Sequence, residues 1–556
     1  MPQDAFTIRY IADGLKSQLV GGKISRIIQP SRDSLTFIIY TGRGNIKLEA
    51  CLSAQSPRLS ITCGETNAPA AAPNFCMLLR KHLQNAQILD VVQPDFERII
   101  YFDFKCTSEF TETTMRLYFE IMGKYSNAML CENGVIVGAL KTTAISESTK
   151  RVLFGGVKYC PPEPQDKISP EDTEALAAAL CSFGGDKVRF LSDNVKGICY
   201  ATALEIVAYY GENPTAEQVK SFIFSDPAAP CVIYADGEPC DFKVRSKAEE
   251  QRLYPDVLSA QSAYYSFVTA KRNFTEKRTR LSSALNSAIK KSDKRLAQMR
   301  QKLDECRDME MVKLKGELLT ANVYAVRRGD SKLEAVNYYD ENGGTVTIEL
   351  DKTLTPSQNM QKYYKRYAKL KRTKQSVEGQ LSEAEKQRDY LSCINAHICN
   401  AETVEDLEET EDELAALQII KRAEKKKKPA APPYRSYICD GFKILAGRNN
   451  IQNDRLTKSL APDDLWLHTQ KYHSAHVAVI ARGRTVPDSV IKTAAEICAY
   501  YSDGRGGSKI PVDYTLKKHV KKPSAANAGF VVYTDYSTML SDPNKHTEIA
   551  EDSDEG

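Results

Sequence analysis

The chain has 556 residues, of which 42% are hydrophobic and 27% charged, a balance typical of folded protein that excludes a wholly disordered chain. At roughly 100–200 residues per domain, this length predicts about three to five structural units. Basic residues number 76 and acidic residues 72, for a formal net charge of +4. Such near-neutrality does not by itself indicate a nucleic-acid-binding protein, so the distribution of charge along the chain matters more than its sum.

The 15 cysteines are scattered and never spaced as C-x-x-C. This pattern argues against a disulfide scaffold and a zinc site, and it predicts free thiols in a reducing compartment. No apolar run approaches the roughly 20 residues that span a bilayer. Residues 1–15 are amphipathic and include Asp4, unlike a signal peptide. We therefore expect a cytoplasmic protein without a membrane partner, a metal or another cofactor.

Residues 1–175 alternate between helical and strand patterns and predict a mixed α/β domain. Apolar residues step at helical spacing over 8–19, and residues 21–41 alternate like a strand pair with a turn at 30–33. A short basic amphipathic helix follows Pro73. Further alternating segments predict strands at 98–106, 115–122 and 127–140.

Residues 176–245 predict short helices joined by glycine turns, which could offer backbone N–H groups to a phosphate or serve as a plain connector. Residues 246–424 hold two long helical patterns, 258–320 and 357–396, separated by a strand-like insert near 321–352. They predict an antiparallel coiled-coil arm about 60 Å long. Its seam is predicted from Leu296, Met299, Leu303 and Cys306 on one helix and Val377, Leu381, Ala384 and Leu391 on the other.

A lysine- and proline-rich linker is predicted at 425–433. Residues 434–541 then form a second α+β pattern. The last residues, 542–556, form an acidic tail, and we expect residues 546–556 to be disordered. The whole chain is therefore expected to be a multidomain α+β protein.

Basic residues concentrate on the arm. Residues 271–302 hold 11 lysines and arginines against two acids, and residues 362–374 hold seven and no acid, interleaved with tyrosines. By contrast, residues 402–413 hold eight acids and no base. Dense cations attract phosphate backbones and tyrosines could stack on bases, although one basic stretch is more often a solvated helix face. The arm's RNA-binding candidates are Lys362, Lys365, Arg366 and Lys369.

The final domain carries a polar loop, a lysine pair and two histidines that could contact RNA. The RNA-binding candidates are Arg448, Asn449, Asn450, Asn453, Asp454, His468, His476, Lys521 and Lys522. Histidines near an aspartate could also suggest a metal or a catalytic base, but their spacing favours imidazoles that hydrogen-bond locally or meet RNA. Trp466, the only tryptophan, is equally compatible with the core.

Several runs resemble the NFACT family. APNFCMLLRKHL, QPDFERIIYFDF and YFEIMGKYSNAML are similar to its N-domain, and GRNNIQNDRLTKSLAPDDLWLHTQKYHSAHVAVI and KKPSAANAGFVVYT are similar to its R-domain. The resemblance covers nearly the whole chain in the family's order: N-domain (1–175), helix-hairpin-helix (176–245), arm (246–424) and R-domain (434–541). It implies an N-domain fold similar to that of formamidopyrimidine-DNA glycosylases.

The resemblance also implies a function in ribosome quality control. Family members bind a large ribosomal subunit, with its rRNA, that is blocked by stalled peptidyl-tRNA. They recruit charged tRNA, alanyl-tRNA in the bacterial form, and extend the stalled chain without mRNA by a tail that marks it for degradation. Such a protein is not an enzyme, because the ribosome performs peptidyl transfer. Fibronectin binding would be a secondary activity.

Two N-domain motifs carry the tRNA contacts that the resemblance implies. The family's acidic-arginine pair falls on Glu97 and Arg98, where aspartate is the commoner acid. The pattern E-x-x-G-[KR]-x-S-N falls on Glu120, Gly123, Lys124, Ser126 and Asn127. These groups suit phosphate and ribose. The alternatives are a surface ion pair at a strand start and a β-turn whose serine and asparagine satisfy the local backbone.

Two other functions stay open. A glycosylase-like enzyme would use the amine of Pro2 after removal of Met1, but Gln3 stands where those enzymes have glutamate, and a C-x-x-C zinc finger is missing. A fibronectin-binding surface adhesin is suggested by the family's fibronectin-binding-protein-A-like members. Against it, the sequence shows no wall-sorting or lipidation signal.

Overall fold

The computed structural model describes residues 3–550 except 65, 67, 70, 108–111, 144–150, 226–227, 341–342, 422–432 and 525. The chain divides into two compact units, residues 1–271 and 272–556. None of the helices in the described part is both long and apolar enough to cross a bilayer.

A nine-stranded antiparallel sheet organises the first unit. Helix α1 (Ala5–Leu19) packs its buried apolar face on the sheet, and α2 (Asn74–Leu83) packs beside it. The strands are β1 (Lys23–Ser31), β2 (Ser34–Tyr40), β3 (Asn45–Cys51), β4 (Arg58–Ile61), β5 (Gln87–Val92), β6 (Ile99–Thr107), β7 (Glu112–Glu120), β8 (Asn127–Glu132) and β9 (Val135–Ala139). Their order is β4-β3-β2-β1-β5-β6-β7-β8-β9. The predicted helices and strand pairs of this region are confirmed, with the first turn at 32–33.

The predicted short helices of 176–245 form only part of that range. Helices α3 (Thr173–Ser182), α4 (Lys187–Asn194), α5 (Tyr200–Tyr210) and α6 (Ala216–Phe224) are followed by strands β10 (Cys231–Ala235), β11 (Glu238–Lys243) and β12 (Gln251–Leu253). The missed signal is Asp236-Gly237, both in the left-handed region, a pair that favours a two-residue hairpin. The arm helix begins at Val257, within one residue of the predicted 258, and β12 lies inside the range 246–424 assigned to the arm.

The arm consists of α7 (Val257–Asp304), α8 (Met309–Ala321) and α9 (Pro356–Asn400), with the insert strands β13 (Lys332–Val336) and β14 (Thr345–Glu349). The expected continuous helix over 258–320 is interrupted at 305–308, where hydrogen bonds span three residues and tighten the chain. The seam is confirmed for Leu296, Met299, Leu303, Val377, Leu381 and Ala384. Leu391 instead joins a cluster at the base of the arm.

An acidic helix, α10 (Val404–Ala416), follows the arm and precedes the last domain. That domain contains β15 (Arg435–Cys439), β16 (Phe442–Ala446), α11 (Asn450–Ser459), β17 (Leu465–Thr469), β18 (Val477–Ile480), α12 (Asp488–Tyr500), β19 (Ile510–Leu516), β20 (Val520–Lys521), β21 (Val532–Tyr533) and β22 (Ser537–Ser541). Six strands form one sheet in the order β15-β16-β18-β17-β19-β22, and α12 packs on it.

The expectation of disorder at 546–556 is wrong for residues 546–550. Ala550 bridges Tyr437 of β15, and His546 Nε2 lies 2.6 Å from Glu496 Oε2 of α12. These partners lie far away in sequence, so composition did not reveal them. Residues 551–556 and most of the predicted linker, 425–432, lie outside the described residues.

Gly197 fixes the turn that carries Glu97. Its φ is +76°, and a Cβ there would lie 2.3 Å from Phe96 Cε1 and 3.0 Å from the Ala5 Cβ. Gly197→Ala should therefore lower the free energy of unfolding by about 1–3 kcal/mol more than Gly211→Ala does. Gly211 shares the strained φ, +88°, but its added Cβ would meet nothing within 4 Å. Thermal unfolding by circular dichroism measures both, and equal losses would contradict the packing argument.

Candidate nucleic-acid interface

The two N-domain motifs lie side by side at one end of the large sheet. One is the turn 93–98 between β5 and β6, and the other is the turn 121–126 between β7 and β8. The Ile121 N–H donates to the Arg98 carbonyl oxygen at 2.9 Å. The sheet therefore brings together residues that are more than 20 positions apart in sequence.

Glu97 and Arg98 do not form an ion pair with each other. The Glu97 carboxylate lies 3.1 Å from Lys196 Nζ, and the Gln93 side chain donates to the Glu97 carbonyl at 2.8 Å. Among the described residues, no hydrogen bond or ion pair involves the half-buried guanidinium of Arg98. Glu97 thus anchors the turn, and Arg98 is left available to a ligand.

Glu120 is fully enclosed, with 1% of its surface exposed. Its carboxylate accepts two hydrogen bonds from Arg151, at 2.8 and 2.5 Å, and one from the Tyr159 hydroxyl at 2.9 Å. Burial, together with the adjacent Glu120 charge, raises the pKa of Tyr159. The Glu120 carboxylate is therefore engaged inside the N-domain and does not face a ligand, in contrast to the predicted tRNA contact.

Ser126 and Asn127 serve the local backbone. Ser126 Oγ accepts from the Met122 N–H at 2.9 Å, and the Asn127 side chain donates to the Lys141 carbonyl at 2.8 Å and accepts from the Lys141 N–H at 2.9 Å. Both side chains are buried. The β-turn alternative is therefore confirmed for these two residues, and neither offers a surface to tRNA.

Lys124 and Tyr125 point away from this network. Gly123 takes a φ of +58°, which turns the chain so that Lys124 is exposed and Tyr125 is 71% exposed. Lys124 Nζ lies 4.9 Å from the Tyr125 ring centroid. Together with Arg98 they form what we call the turn patch: two cations and one aromatic ring, a set suited to phosphate and an unstacked base.

The arm candidates divide into one paired and three free cations. Lys362 Nζ lies 2.8 Å from Asp351, and its hydrogen bond lowers the pKa of Asp351 to about 2. Lys365, Arg366 and Lys369 are exposed, and no side-chain partner is found for them within the described part of the chain. This free set could contact RNA.

Two tyrosines of the arm's basic stretch, Tyr363 and Tyr364, make hydrogen bonds within the arm. The Tyr363 hydroxyl donates to the Glu349 carbonyl at 2.7 Å, and the Tyr364 hydroxyl lies 3.2 Å from Thr320 Oγ1. Both rings are used to pack α9 against its neighbours, so the suggested stacking on bases finds no support at these two positions.

The polar loop of the last domain is occupied by this chain's own carboxylates. Arg448 Nη1 lies 2.5 Å from Asp406, Asn449 Nδ2 donates to Glu409 at 2.7 Å, and Asn450 Nδ2 donates to Glu413 at 3.1 Å. All three acids belong to α10. Asn449 and Asn450 are buried, so the sequence prediction of free RNA ligands does not describe this conformation.

The remaining loop candidates are also mostly satisfied. Asn453 is buried and accepts from the His476 N–H at 3.0 Å. Asp454 accepts from Lys522 Nζ at 2.6 Å and from the Gly529 N–H at 3.2 Å. Lys521 is exposed, and the described residues provide no partner for its ammonium. Lys521 is therefore the candidate of this group that stays available.

The two histidines lie inside the last domain beside Trp466. Burial lowers the pKa of His468 to about 4 and that of His476 well below its usual range. His476 Nδ1 lies 2.8 Å from Thr457 Oγ1, and both imidazoles contact the fully buried ring of Trp466. In the described ranges, no three potential metal ligands come together. The alternative of locally hydrogen-bonded imidazoles is confirmed for His476.

Buried neutral histidines make the second unit sensitive to acid. His397 is 6% exposed, and burial lowers its pKa to about 4, as for His468. Histidines of the unfolded chain titrate near 6.5, so the unfolded state binds more protons as pH falls from about 6.5 towards 4. Stability should drop by roughly 2 kcal/mol per histidine between pH 7 and pH 5.

Urea unfolding followed by Trp466 fluorescence measures this dependence. As a check, His397→Gln removes one buried imidazole whose pKa is lowered and should make the pH dependence shallower. Equal stability at pH 7 and pH 5 would show that the imidazoles are not buried in neutral form.

Comparison with known proteins covers both units. Residues 4–432 match the NFACT N-terminal and middle domains, and residues 434–534 match the NFACT protein RNA binding domain. A protein named Rqc2 homolog RqcH from Bacillus subtilis is 32% identical over 556 residues, covering 96% of this chain and 97% of its own length. A protein of the same name from Streptococcus suis is 28% identical over 554 residues, covering 98% and 99%.

Two solved structures align with parts of the chain. The N-terminal part of the fibronectin/fibrinogen-binding protein from Streptococcus suis has a TM-score of 0.43 and 25% identity, over 47% of this chain and 98% of that one. The C-terminal part of the same protein has a TM-score of 0.40 and 25% identity, over 50% and 99%. With nearly every residue inside matched domains and a relative above 30% identity over its full length, the chain belongs to the NFACT family.

Proposed function

We propose that this chain is a ribosome quality control factor. It binds a large ribosomal subunit that still carries peptidyl-tRNA and recruits alanyl-tRNA, so that the stalled chain receives a C-terminal degradation tail without mRNA. Full-length similarity to two proteins named Rqc2 homolog RqcH supports this class of function. The observation that carries the proposal is the turn patch, in which two hydrogen-bonded turns carry Arg98, Lys124 and Tyr125.

Each member of the turn patch has a distinct task in holding tRNA. The Arg98 guanidinium can hold a phosphate through two parallel hydrogen bonds, and Lys124 adds a point charge. Tyr125 offers its ring to an unstacked base. The Glu97–Lys196 pair keeps the turn fixed, so that Arg98 is ordered before tRNA arrives.

The chain positions substrates and performs no bond chemistry in this proposal. The ribosome supplies peptidyl transfer, and the protein raises the rate by holding the acceptor tRNA in the right orientation. Its activity is therefore lost when tRNA contacts are lost, even where the chain still binds the subunit.

Removal of the turn patch should separate tailing from subunit binding. The double change Glu97→Ala with Arg98→Ala should abolish tailing, and Arg98→Ala alone should cause most of the loss, because Arg98 is the free cation. Arg43→Ala is the matched control, since Arg43 is an exposed arginine on the β2–β3 turn of the same sheet. Tail length on purified stalled subunits and co-sedimentation with them measure the two effects. Normal tailing by the double variant would contradict the role of this turn.

We propose that the arm contacts rRNA through Lys365, Arg366 and Lys369. Each phosphate contact contributes about 0.7–0.9 to the slope of log affinity against log salt. Replacing all three by glutamine should weaken binding to subunits and flatten the slope by about 2–3. Lys362→Gln should change it less, because Lys362 already pairs with Asp351. An unchanged slope in the triple variant would favour a solvated helix face.

The two alternatives stay predictions. Pro2, the nucleophile of a glycosylase-like activity, lies outside the described residues, and Gln3 is buried with 4% exposure. A borohydride-trapped adduct with abasic DNA would establish that activity. For the adhesin, cell fractionation decides: a surface pool favours fibronectin binding, and co-sedimentation with large subunits favours quality control.

A further inference from the structure

Helix α10 uses opposite kinds of contact on its two sides. Leu407 and Leu414 pack into an apolar cluster with residues of the arm helices α7 and α9. On the same side Glu411 lies 3.0 Å from Lys277 Nζ and 2.5 Å from Arg280 Nη2. Among the described residues, that cluster contains none from 434–541. The helix is therefore held to the arm by its apolar core.

Towards the last domain, α10 presents a row of carboxylates. Asp406, Glu409 and Glu413 are spaced by three and four residues, about 4.5 and 6 Å along the helix axis. Their partners are Arg435 (3.2 Å) and Arg448 (2.5 Å) for Asp406, Arg455 (2.8 Å) and Asn449 (2.7 Å) for Glu409, and Asn450 (3.1 Å) for Glu413. We call these five partners the covered face. Each makes its α10 contact through a charged or amide group.

The covered face has the composition of an anion site. Three guanidiniums and two amide N–H₂ groups donate in one region, and a guanidinium fork accepts a carboxylate or a phosphate with similar geometry. Half to two-thirds of protein–nucleic acid hydrogen bonds go to phosphate and sugar, from such groups. The carboxylates of α10 therefore stand where phosphate oxygens would bind.

The ion pairs between α10 and the covered face also differ in how readily a polyanion could replace the α10 carboxylate. Asp406 is 2% exposed and held by two arginines. By contrast, the Arg455 side chain is 52% exposed, although its partner Glu409 is mostly buried. Half-exposed ion pairs contribute little and are screened by salt. An incoming polyanion could therefore begin at Arg455 and proceed inward.

We propose that α10 is an intramolecular cover that competes with the RNA phosphate backbone for the covered face, so that RNA binding to residues 434–541 requires α10 to leave it. This inference rests on the proposed function only in taking RNA as the ligand. Only the polar contacts between α10 and the covered face break in this step. The apolar packing of Leu407 and Leu414 therefore keeps α10 on the arm. RNA binding would thereby remove the α10 contacts of the last domain, while Asn450 Oδ1 keeps its 3.0 Å contact with His397 Nε2 of α9.

The test measures the affinity of the full chain for a short fluorescein-labelled single-stranded RNA by fluorescence anisotropy. Glu409→Gln weakens the cover and should tighten RNA binding about two- to fivefold, the range of one partly exposed ion pair. Arg455→Gln breaks the same pair but removes a phosphate ligand, so it should weaken RNA binding by a similar factor.

Glu405→Gln is the matched control. Glu405 lies on the same helix, is exposed, and has no partner among the described residues, so its removal changes the net charge equally and should leave affinity near that of the unchanged chain. Thermal unfolding should show equal small losses for Glu409→Gln and Arg455→Gln, whereas their RNA affinities move in opposite directions.

Two results would overturn the inference: Glu409→Gln and Glu405→Gln binding RNA equally, or no RNA binding by any variant. The assay contains neither ribosomal subunits nor aminoacylated tRNA. A loss of tailing function therefore leaves its outcome unaffected, and the two proposals fail separately.

Discussion

Asp406 joins the last domain to the arm, and its charge is the constraint around which the second unit is built. Burial opposes ionisation of this carboxyl, but Arg435 and Arg448 outweigh it and hold the pKa of Asp406 below its usual range. Removal of Asp406 would leave the buried guanidinium of Arg435 without its carboxylate partner, at a cost of about 3–5 kcal/mol. The carboxylate of Asp406 therefore stabilises the polar loop in its observed conformation.

In the first unit, too, a buried carboxylate is paired with an arginine of the same chain. Glu120 is enclosed between Arg151 and Tyr159, and this buried contact fixes the turn after β7. Serine and asparagine in that turn satisfy the backbone. Arg98 and Lys124 are left over, and these are the groups that face solvent. In both units, buried carboxylates determine which cations remain free for a ligand.

The periodic spacing of apolar residues was enough to predict much of the fold from the sequence. The helical spacing over 8–19, the strand pair over 21–41 and the arm seam from Leu296 to Ala384 each follow from local patterns that burial then satisfies. The hairpin at Asp236-Gly237 was missed although its turn signal is present in the sequence. Its strands are short, and β12 pairs across an intervening loop.

Pairing over long sequence distances could not be predicted. Nothing near Asp406 indicates that it meets Arg448, 42 positions later, and the acidic run at 402–413 resembles a solvated helix. A run of charged residues in a sequence shows the sign of the charge, but it does not show which residues pair with it in the fold. For the same reason, the sequence indicated Asn449 and Asn450 as RNA ligands but did not reveal that they donate to acids of the same chain.

Hydrogen–deuterium exchange of the full chain, with and without tRNA, tests the central claim most directly, namely that the turn patch is open to RNA while the covered face must be uncovered. The account predicts slower exchange at 93–98 and 121–126 and faster exchange in 404–416 when tRNA binds. Unchanged exchange at both turns, together with unchanged or slower exchange in α10, would contradict it.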